Sequence, residues 1–485
     1  MMPGHNEATP MQSRILTDEQ IARIHNASLA ILEKTGVIVP HEDMLNRFED
    51  AGASVDRADQ RVRIPADLVA LSIESAGKQF TLYGRDMQKT AAFGQGRRNY
   101  NTIAGEAHWL DEIGAQRRFA TMDDVATAAR FCDALPQINI VGAMADPHEI
   151  DVSWRCVAVL AEMLRHTVKP VHFWLHDRAS AKFLLEITKA LRGGKADAAA
   201  RPLWYAFLEP ISPLRFPFHG VDLLLQVAEL HVPVSIGPMA QMGLSAPATV
   251  AGTLAQENAE ILAGICITQL AREGTAVCYG GICHAFDMRT TQMIFSGPEQ
   301  AIFGVAMTQM GKHYGLPVYI NVGLTDSKRP DAQAGMEAAA TLALGAAAGA
   351  DIFGHLGISG VDQAASLDML VLQHEVVRYV ESLCREIDFS DDALALGEID
   401  AAGPGGTFID REHTAAHFRA ELWQPHLLDR RFYQNWRDNG ATDMVQRIEA
   451  EKRRLSQQSE SHPLDDDLDR ELTCIVSAAR RELTG

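Results

Sequence analysis

Directly after the apolar run PVYI, the chain sets Asn321, Thr325, Asp326, Ser327, Lys328, Asp331 and Gln333 within thirteen positions. An apolar strand that opens into such a loop can line a binding chamber. Other short apolar runs end in the same manner, at Asp146 and His148, Trp174 and His176, Glu209 and Ser212, Met239 and Gln241, Cys278 to His284, and Phe353 to Ser359. Aromatic side chains recur near these ends (Trp174, Tyr205, Phe207, Tyr279, Phe286, Phe353), and Tyr100 adds to them. Ring faces attract quaternary ammonium ions. No Ser-His-Asp order, paired-carboxylate motif or cofactor lysine stands out, so no catalytic acid or base is assigned. Rings and neutral hydrogen-bonding groups fit a cationic substrate and a reaction driven by another molecule's reagent.

Cys278, Cys283 and His284 have the chemistry of zinc ligands but not the spacing of a standard metal motif, and buried cysteine is usually a small hydrophobe. No metal is expected. Met239, Met242, Met307 and Met310 read as core filler. Glu257 and Glu260 read as loop-bracing groups at a helix start at least as well as catalytic ones.

The elements that must position these groups alternate. Apolar, β-branched runs start near residues 138, 169, 202, 232, 276, 316 and 350, and helical stretches such as SAKFLLEITKALRGG and AGMEAAATLALGAAAG lie between them. Several of these stretches end in Gly, as helices do. Strand–helix repeats of this length imply a parallel sheet. Seven countable units and an expected eighth favour a closed (β/α)8 barrel, with an open doubly wound sheet as the alternative. No G-x-G-x-x-G follows a strand, which argues against dinucleotide binding. Strand parity places Tyr319, Asn321, Gly323 and Thr325 on one face of the run at 316. It places Val318, Ile320 and Val322 on the other. Tyr205, Phe207 and Glu209 share a face, and so do Phe353 and His355.

Three regions are predicted: an N-terminal α/β segment over 1–120, the barrel over 121–400, and a C-terminal cap and helical extension over 401–485. The first contains ILTDEQIARIHNASLAILEKTGV, with Thr17 as N-cap, then a short helix from His41 to Ala51 and the strand-like RVRIP. The chain has 485 residues, enough for a sizeable core, and 63 acidic against 44 basic residues give a net charge of −19. That charge disfavours nucleic acid and anionic membranes as partners. No apolar run reaches the ~18 residues of a membrane span, the start MMPGHNEATPMQSR lacks the apolar core of a secretory signal, and seven scattered cysteines form no disulfide framework. A cytoplasmic location is expected.

Three long blocks carry a resemblance: GPMAQMGLSAPATVAGTLAQENAEILAGI, GLPVYINVGLTDSKRPDAQAGMEAAATLALGAAAGADIFGHLG and GPGGTFIDREHTAAHFRAELWQP. With the N-terminal pattern and LYGRD, they resemble the trimethylamine:corrinoid methyltransferase family over nearly the whole chain. The resemblance implies a (β/α)8 barrel. It also implies methyl transfer from an amine to Co(I) of a corrinoid (cobalamin) carried by a separate protein, with no tightly bound cofactor on this chain. Archetypal members carry pyrrolysine, whereas this sequence has standard residues only. Assigned members without pyrrolysine act on quaternary amines, so the resemblance favours glycine betaine, proline betaine or carnitine. A quaternary ammonium already carries a neutral tertiary-amine leaving group and needs no further activation. Tyr100, His355 and Phe353 are expected from the resemblance as substrate contacts, with Tyr279, His284, Asn321 and Thr325 added by parity. A homo-oligomer is expected. A barrel without turnover, a trimethylamine enzyme and a zinc thiol methyltransferase are the alternatives.

Overall fold

The computed structural model describes residues 11–458 and 462–484. Most of the polar start, on which the signal-sequence expectation rests, lies outside the described residues.

Eight parallel strands close into a ring. They are β1 (Asn99–Thr102), β2 (Val141–Gly142), β3 (Val171–His172), β4 (Ala206–Leu208), β5 (Val234–Ile236), β6 (Val277–Gly281), β7 (Val318–Asn321) and β8 (Ile352–Leu356). Strands β4 to β8 and then β1 pair in that order within one sheet. The Asn101–Ile140 bridge joins β1 to β2, β2 pairs with β3, and the Val171 amide donates to the Leu203 carbonyl to close the ring. The expected eighth unit is therefore the first, and the run at 316 is the seventh strand. The boundary expected at residue 121 cuts β1 away from the barrel it belongs to. Its sequence, NYNT, is polar and carries no apolar signal.

Helices α1 (Met122–Asp133), α2 (Val152–His166), α3 (Arg178–Arg192), α4 (Phe218–Val227), α5 (Val250–Ala271), α6 (Pro298–His313), α7 (Ala332–Ala348) and α8 (Leu367–Leu383) follow the eight strands in turn. Five of these starts are capped by side chains in one way: Asp151, Asp177, Thr249, Asp331 and Ser366 each accept from a first-turn amide. Helix α7 stops where Gly349 takes φ +88°, a conformation that costs a glycine little. Val318, Ile320 and Val322 of β7 pack against α6 and α7, as the alternation predicts.

Ahead of the barrel, the helix Asp18–Ala30 begins at a Thr17–Gln20 capping box, and a three-stranded sheet and two further helices follow it. A hairpin of Phe80–Tyr83 and Thr90–Phe93 then fills the N-terminal opening of the barrel. Its Leu82, Ala91 and Phe93 cluster with Ile140, Tyr205, Cys278, Tyr319 and Ile352. Asp351 ties this end together: its carboxylate accepts from the Gly94 amide (2.7 Å), the Val318 amide (2.9 Å) and Lys312 Nζ (2.5 Å).

After α8 the alternation stops. A stretch of short helices leads to Met444–Gln458, which lies on α8, and Asp466–Leu483, which lies on α2 and α3. The acidic LDDDLDRE is the start of that last helix, and its Asp469 pairs with Arg165 at 2.7 Å. Among the described residues no helix is long and apolar enough to cross a membrane.

Candidate active site

Side chains at the C-terminal ends of the strands converge on one chamber. Solvent reaches Glu209, and less fully Phe207, Trp174 and Met239, at its mouth, whereas His172, Tyr205, Tyr319 and Asn321 below are sealed. The deeper wall is a ring array. His172 stacks on Tyr205 (4.9 Å) and on His355 (5.7 Å). Tyr319 meets His355 at 5.6 Å and Phe207 at 5.5 Å, and Trp174 stands edge-on to His355 at 6.3 Å. Trp174 is fixed by its indole N–H, which donates to the Gly105 carbonyl at 2.7 Å.

The polar atoms of this wall are held ready but unused. Both ring nitrogens of His172 and of His284, Nε2 of His355, the Tyr319 hydroxyl, Asn101 Oδ1 and both amide atoms of Asn321 are buried without a partner. A buried polar atom left unpaired costs about 1–3 kcal/mol. Collecting many in one place is unfavourable unless a ligand or water completes them. Burial drives the His284 imidazole down to about 4 and His355 to about 3, so both rings are neutral at physiological pH.

Three carboxylates join the rings. Glu106 follows β1, Glu209 follows β4, and Asp362 lies in the loop after β8. Burial, then Asp362, pushes the Glu106 carboxyl up to about 9, and burial raises Asp362 as well. Glu209 is exposed at the mouth, yet the surrounding walls strip away most of its solvation. That desolvation, then Asp362, raises it to about 7. Tyr319 stands close to Glu209 and Asp362, which add to the effect of burial in raising its hydroxyl. None of the three acids has a Lys or Arg ion-pair partner among the described residues. Arg155, at the rim, is committed to Asp146 (2.6 Å) and to the Ile150 carbonyl. Uncompensated buried negative charge is a receptor for a cation.

Helix α5 keeps the mouth in shape. Glu257 accepts from the Ala240 and Ile282 amides, and Glu260 from the Leu214 amide and the Ser212 hydroxyl. Two buried carboxylates thus brace the loops after β4, β5 and β6, in line with the structural reading of this pair.

Of the predicted contacts, His355 joins the ring array, Asn321 is buried at the end of β7 with both amide atoms unpartnered, and His284 stacks on Phe295 at 4.8 Å with both ring nitrogens unpartnered. Tyr100, Phe353, Tyr279 and Thr325 do not reach the chamber. Tyr100 stacks on Phe353 (5.3 Å) outside the ring and donates to Glu381 Oε1 of α8 at 2.5 Å. The inward residue of β1 is Asn101. Phe353 and His355 are separated by a register shift between Phe353 and Leu356, so Phe353 points to the helices and His355 inward. The Tyr279 hydroxyl donates to Asn258 Oδ1 of α5 at 2.7 Å. Thr325 donates to Glu337 Oε2 at 2.7 Å and braces its loop. Asp326, Lys328 and Asp331 brace the same loop through hydrogen bonds. Asp326 accepts from the Phe295 amide, Lys328 donates to the Asp326 carbonyl, and Asp331 caps α7. Cys278 faces inward and Cys283 faces the helices, so they do not gather with His284 around one point. Among the described residues, side chains grouped for metal ligation are Asp392, His413 and His417, on the C-terminal extension.

His172, Glu106 and Asp362 were not singled out from sequence. Parity with Trp174 marks His172. A Tyr100→Phe change should cost about 1 kcal/mol of stability, read by denaturant titration, and leave amine affinity unchanged.

The chain matches the trimethylamine methyltransferase (MTTB) family profile over residues 4–484. It belongs to that family. A trimethylamine methyltransferase of Desulfitobacterium hafniense (strain DSM 10664 / DCB-2) is 30% identical over 96% of this chain and 94% of the relative. A glycine betaine methyltransferase of D. hafniense (strain Y51) is 29% identical over 97% and 98%. In structure, the monomethylamine methyltransferase of Methanosarcina barkeri superposes with TM-score 0.50 at 10% identity, covering 98% of this chain and 95% of that one, which supports the barrel fold. The chain is thus a member of a methyltransferase family built on a (β/α)8 barrel.

Proposed function

We propose that this protein takes a methyl group from a quaternary ammonium compound, with glycine betaine as first candidate, and delivers it to a corrinoid held by a separate protein. The observation that carries this reading is the union of a ring-lined chamber with three acids that lack a basic partner. A quaternary ammonium cannot donate a hydrogen bond, so it is recognised by ring faces and by diffuse negative charge. The neutral donors Asn321, His284 and His355 are available for a betaine carboxylate.

A bound corrinoid supplies Co(I), the nucleophile that accepts the methyl cation. The rest is done by this chain. The rings and acids bind the ammonium and turn one N-methyl toward the mouth, and the closed lower end excludes water from that side. The methyl transfer itself moves no proton, because the leaving group is a neutral tertiary amine. The mouth also fits a docked protein: loops after β1, β4, β5 and β6 present exposed Phe119, Ile211, Leu244 and Met288.

The deciding experiment is methylation of cob(I)alamin by the purified protein with glycine betaine, proline betaine, carnitine, choline or trimethylamine. The reading fails if none is a methyl donor even with a cognate corrinoid protein present. It predicts activity with at least one quaternary amine and none with trimethylamine. Choline outcompeting betaine would identify a substrate without a carboxylate, which three chamber acids also favour. His355→Ala should weaken amine binding about tenfold by calorimetry while circular dichroism shows an unchanged fold. Unchanged affinity would make His355 structural.

A further inference from the structure

The stretch between α8 and the helix Met444–Gln458 behaves like half of an interface. Its helices Asp391–Leu394, Leu396–Ala402, Glu412–Glu421 and Tyr433–Asp438 contain no buried residue. It is nevertheless apolar. Of 26 exposed large hydrophobic side chains among the described residues, 12 lie between Ile387 and Tyr433, and Ile409 and Phe432 are each 86% exposed. These side chains expose on the order of 1,000 Å² of apolar surface, more than the ~300–600 Å² patches of ordinary monomers and above the ~800 Å² per partner of a standard interface. Helices that bury nothing do not hold their form by propensity alone, since short helices are marginal in water.

The stretch is anchored rather than loose. Glu375 of α8 accepts from the His426 and Leu427 amides, and Leu427 is buried. Trp423 is gripped by Tyr379 and by the guanidinium groups of Arg378 and Arg430. Within it, Asp392 fastens two helices by pairing with His417 at 3.1 Å and accepting from His413. Beside the anchor runs an apolar cavity of about 550 Å³ between α7 and α8, lined by Met336, Ala339, Leu372, Val376, Tyr379 and Leu428. One chain therefore carries both a bare apolar arm and a bare apolar groove.

We propose that residues 387–433 form an arm that lies across a second copy of this chain, with its apolar side chains over that copy's α7–α8 groove. A second copy is favoured over another protein because each copy supplies both halves of the contact, so a two-fold arrangement satisfies both at once. The arm also leaves from the C-terminal end of α8, at the barrel end opposite the mouth, so a protein serving the mouth has no need to cover it. This inference stands apart from the choice of substrate.

Sedimentation velocity of the full chain at micromolar concentration is the test. The unmodified protein should sediment as a dimer or a larger even assembly. Ile409→Asp with Phe432→Asp should shift it to monomer with unchanged circular dichroism, because both side chains are exposed within one chain. Met336→Asp, in the groove, should do the same. Hydrogen exchange on the unmodified chain should show arm amides protected at micromolar concentration and exposed on dilution. A monomeric unmodified protein, or arm variants that assemble normally, overturns the proposal. Assembly that appears only when a corrinoid protein is added does so as well, by making that protein the occupant. Dissociation by the arm variants but not by Met336→Asp overturns the groove as the receiving surface.

Discussion

Glu106→Gln should cut short the pH dependence of amine binding, removing the part that runs up to about pH 9 and leaving the part around pH 7 that Glu209 contributes. In the free protein the Glu106 carboxyl sits near 9 because of burial and Asp362. A bound cation favours the ionised form, so binding expels a proton. The sign follows: affinity rises with pH through the neutral range, by up to tenfold per unit for one proton, and levels off above about pH 9. A charge about 5 Å from the ammonium contributes roughly 3 kcal/mol at an effective dielectric of 20, on the order of 100-fold. At pH 7 most of that gain is spent removing the proton, so the variant should bind within a few-fold of the original. At pH 9 it should bind about 100-fold more weakly. Calorimetry in buffers of different ionisation enthalpy reads both the affinity and the proton released. A slope that still runs up to about pH 9 in the variant would exclude Glu106 as its source. The same linkage makes the empty chamber a burden on the fold: carboxyls raised above their unfolded values cost stability as pH climbs from about 4.5 toward 9, and a bound cation returns it.

Asp351→Ala should be the most damaging substitution outside the chamber. Its carboxylate, 1% exposed, is shared by the plug hairpin at Gly94, by α6 through Lys312 and by β7 through Val318. Removing it leaves two amides without an acceptor and an ammonium without a counter-charge. Loss of one partner from such a buried arrangement costs about 3–5 kcal/mol. Urea denaturation should show that loss, and amine binding by the surviving folded fraction should be near normal. A loss under about 1 kcal/mol would mean that water replaces the carboxylate.

What was legible in the sequence follows strand regularity. β7 is unbroken, and its parity correctly sorts Tyr319 and Asn321 from Val318, Ile320 and Val322. In β8 the same reasoning fails because the register shifts between Phe353 and Leu356, and no residue type announces the shift. β1 escaped notice because hydrogen bonds do the work that apolar contacts do in the other strands. Asn99 donates to the Ala92 and Asp351 carbonyls, Tyr100 to Glu381, and the Thr102 hydroxyl accepts from the Gly142 amide. Thr325 and Tyr279 were misplaced because their hydroxyls find partners on α7 and α5, which a strand pattern cannot reveal. Glu106 and Asp362 lie more than 250 residues apart in sequence and meet only where β8 closes on β1.

The hairpin that fills the N-terminal opening also sets a timetable. With that end sealed by Leu82, Ala91 and Phe93, the door to the chamber is its mouth. If a carrier protein seats on that door, as the proposed reaction requires, nothing enters or leaves while it is there. The amine must be inside before the carrier arrives, and the demethylated product must wait for its departure. Turnover then runs in compulsory order, and product retained behind the carrier is in position to take the methyl group back.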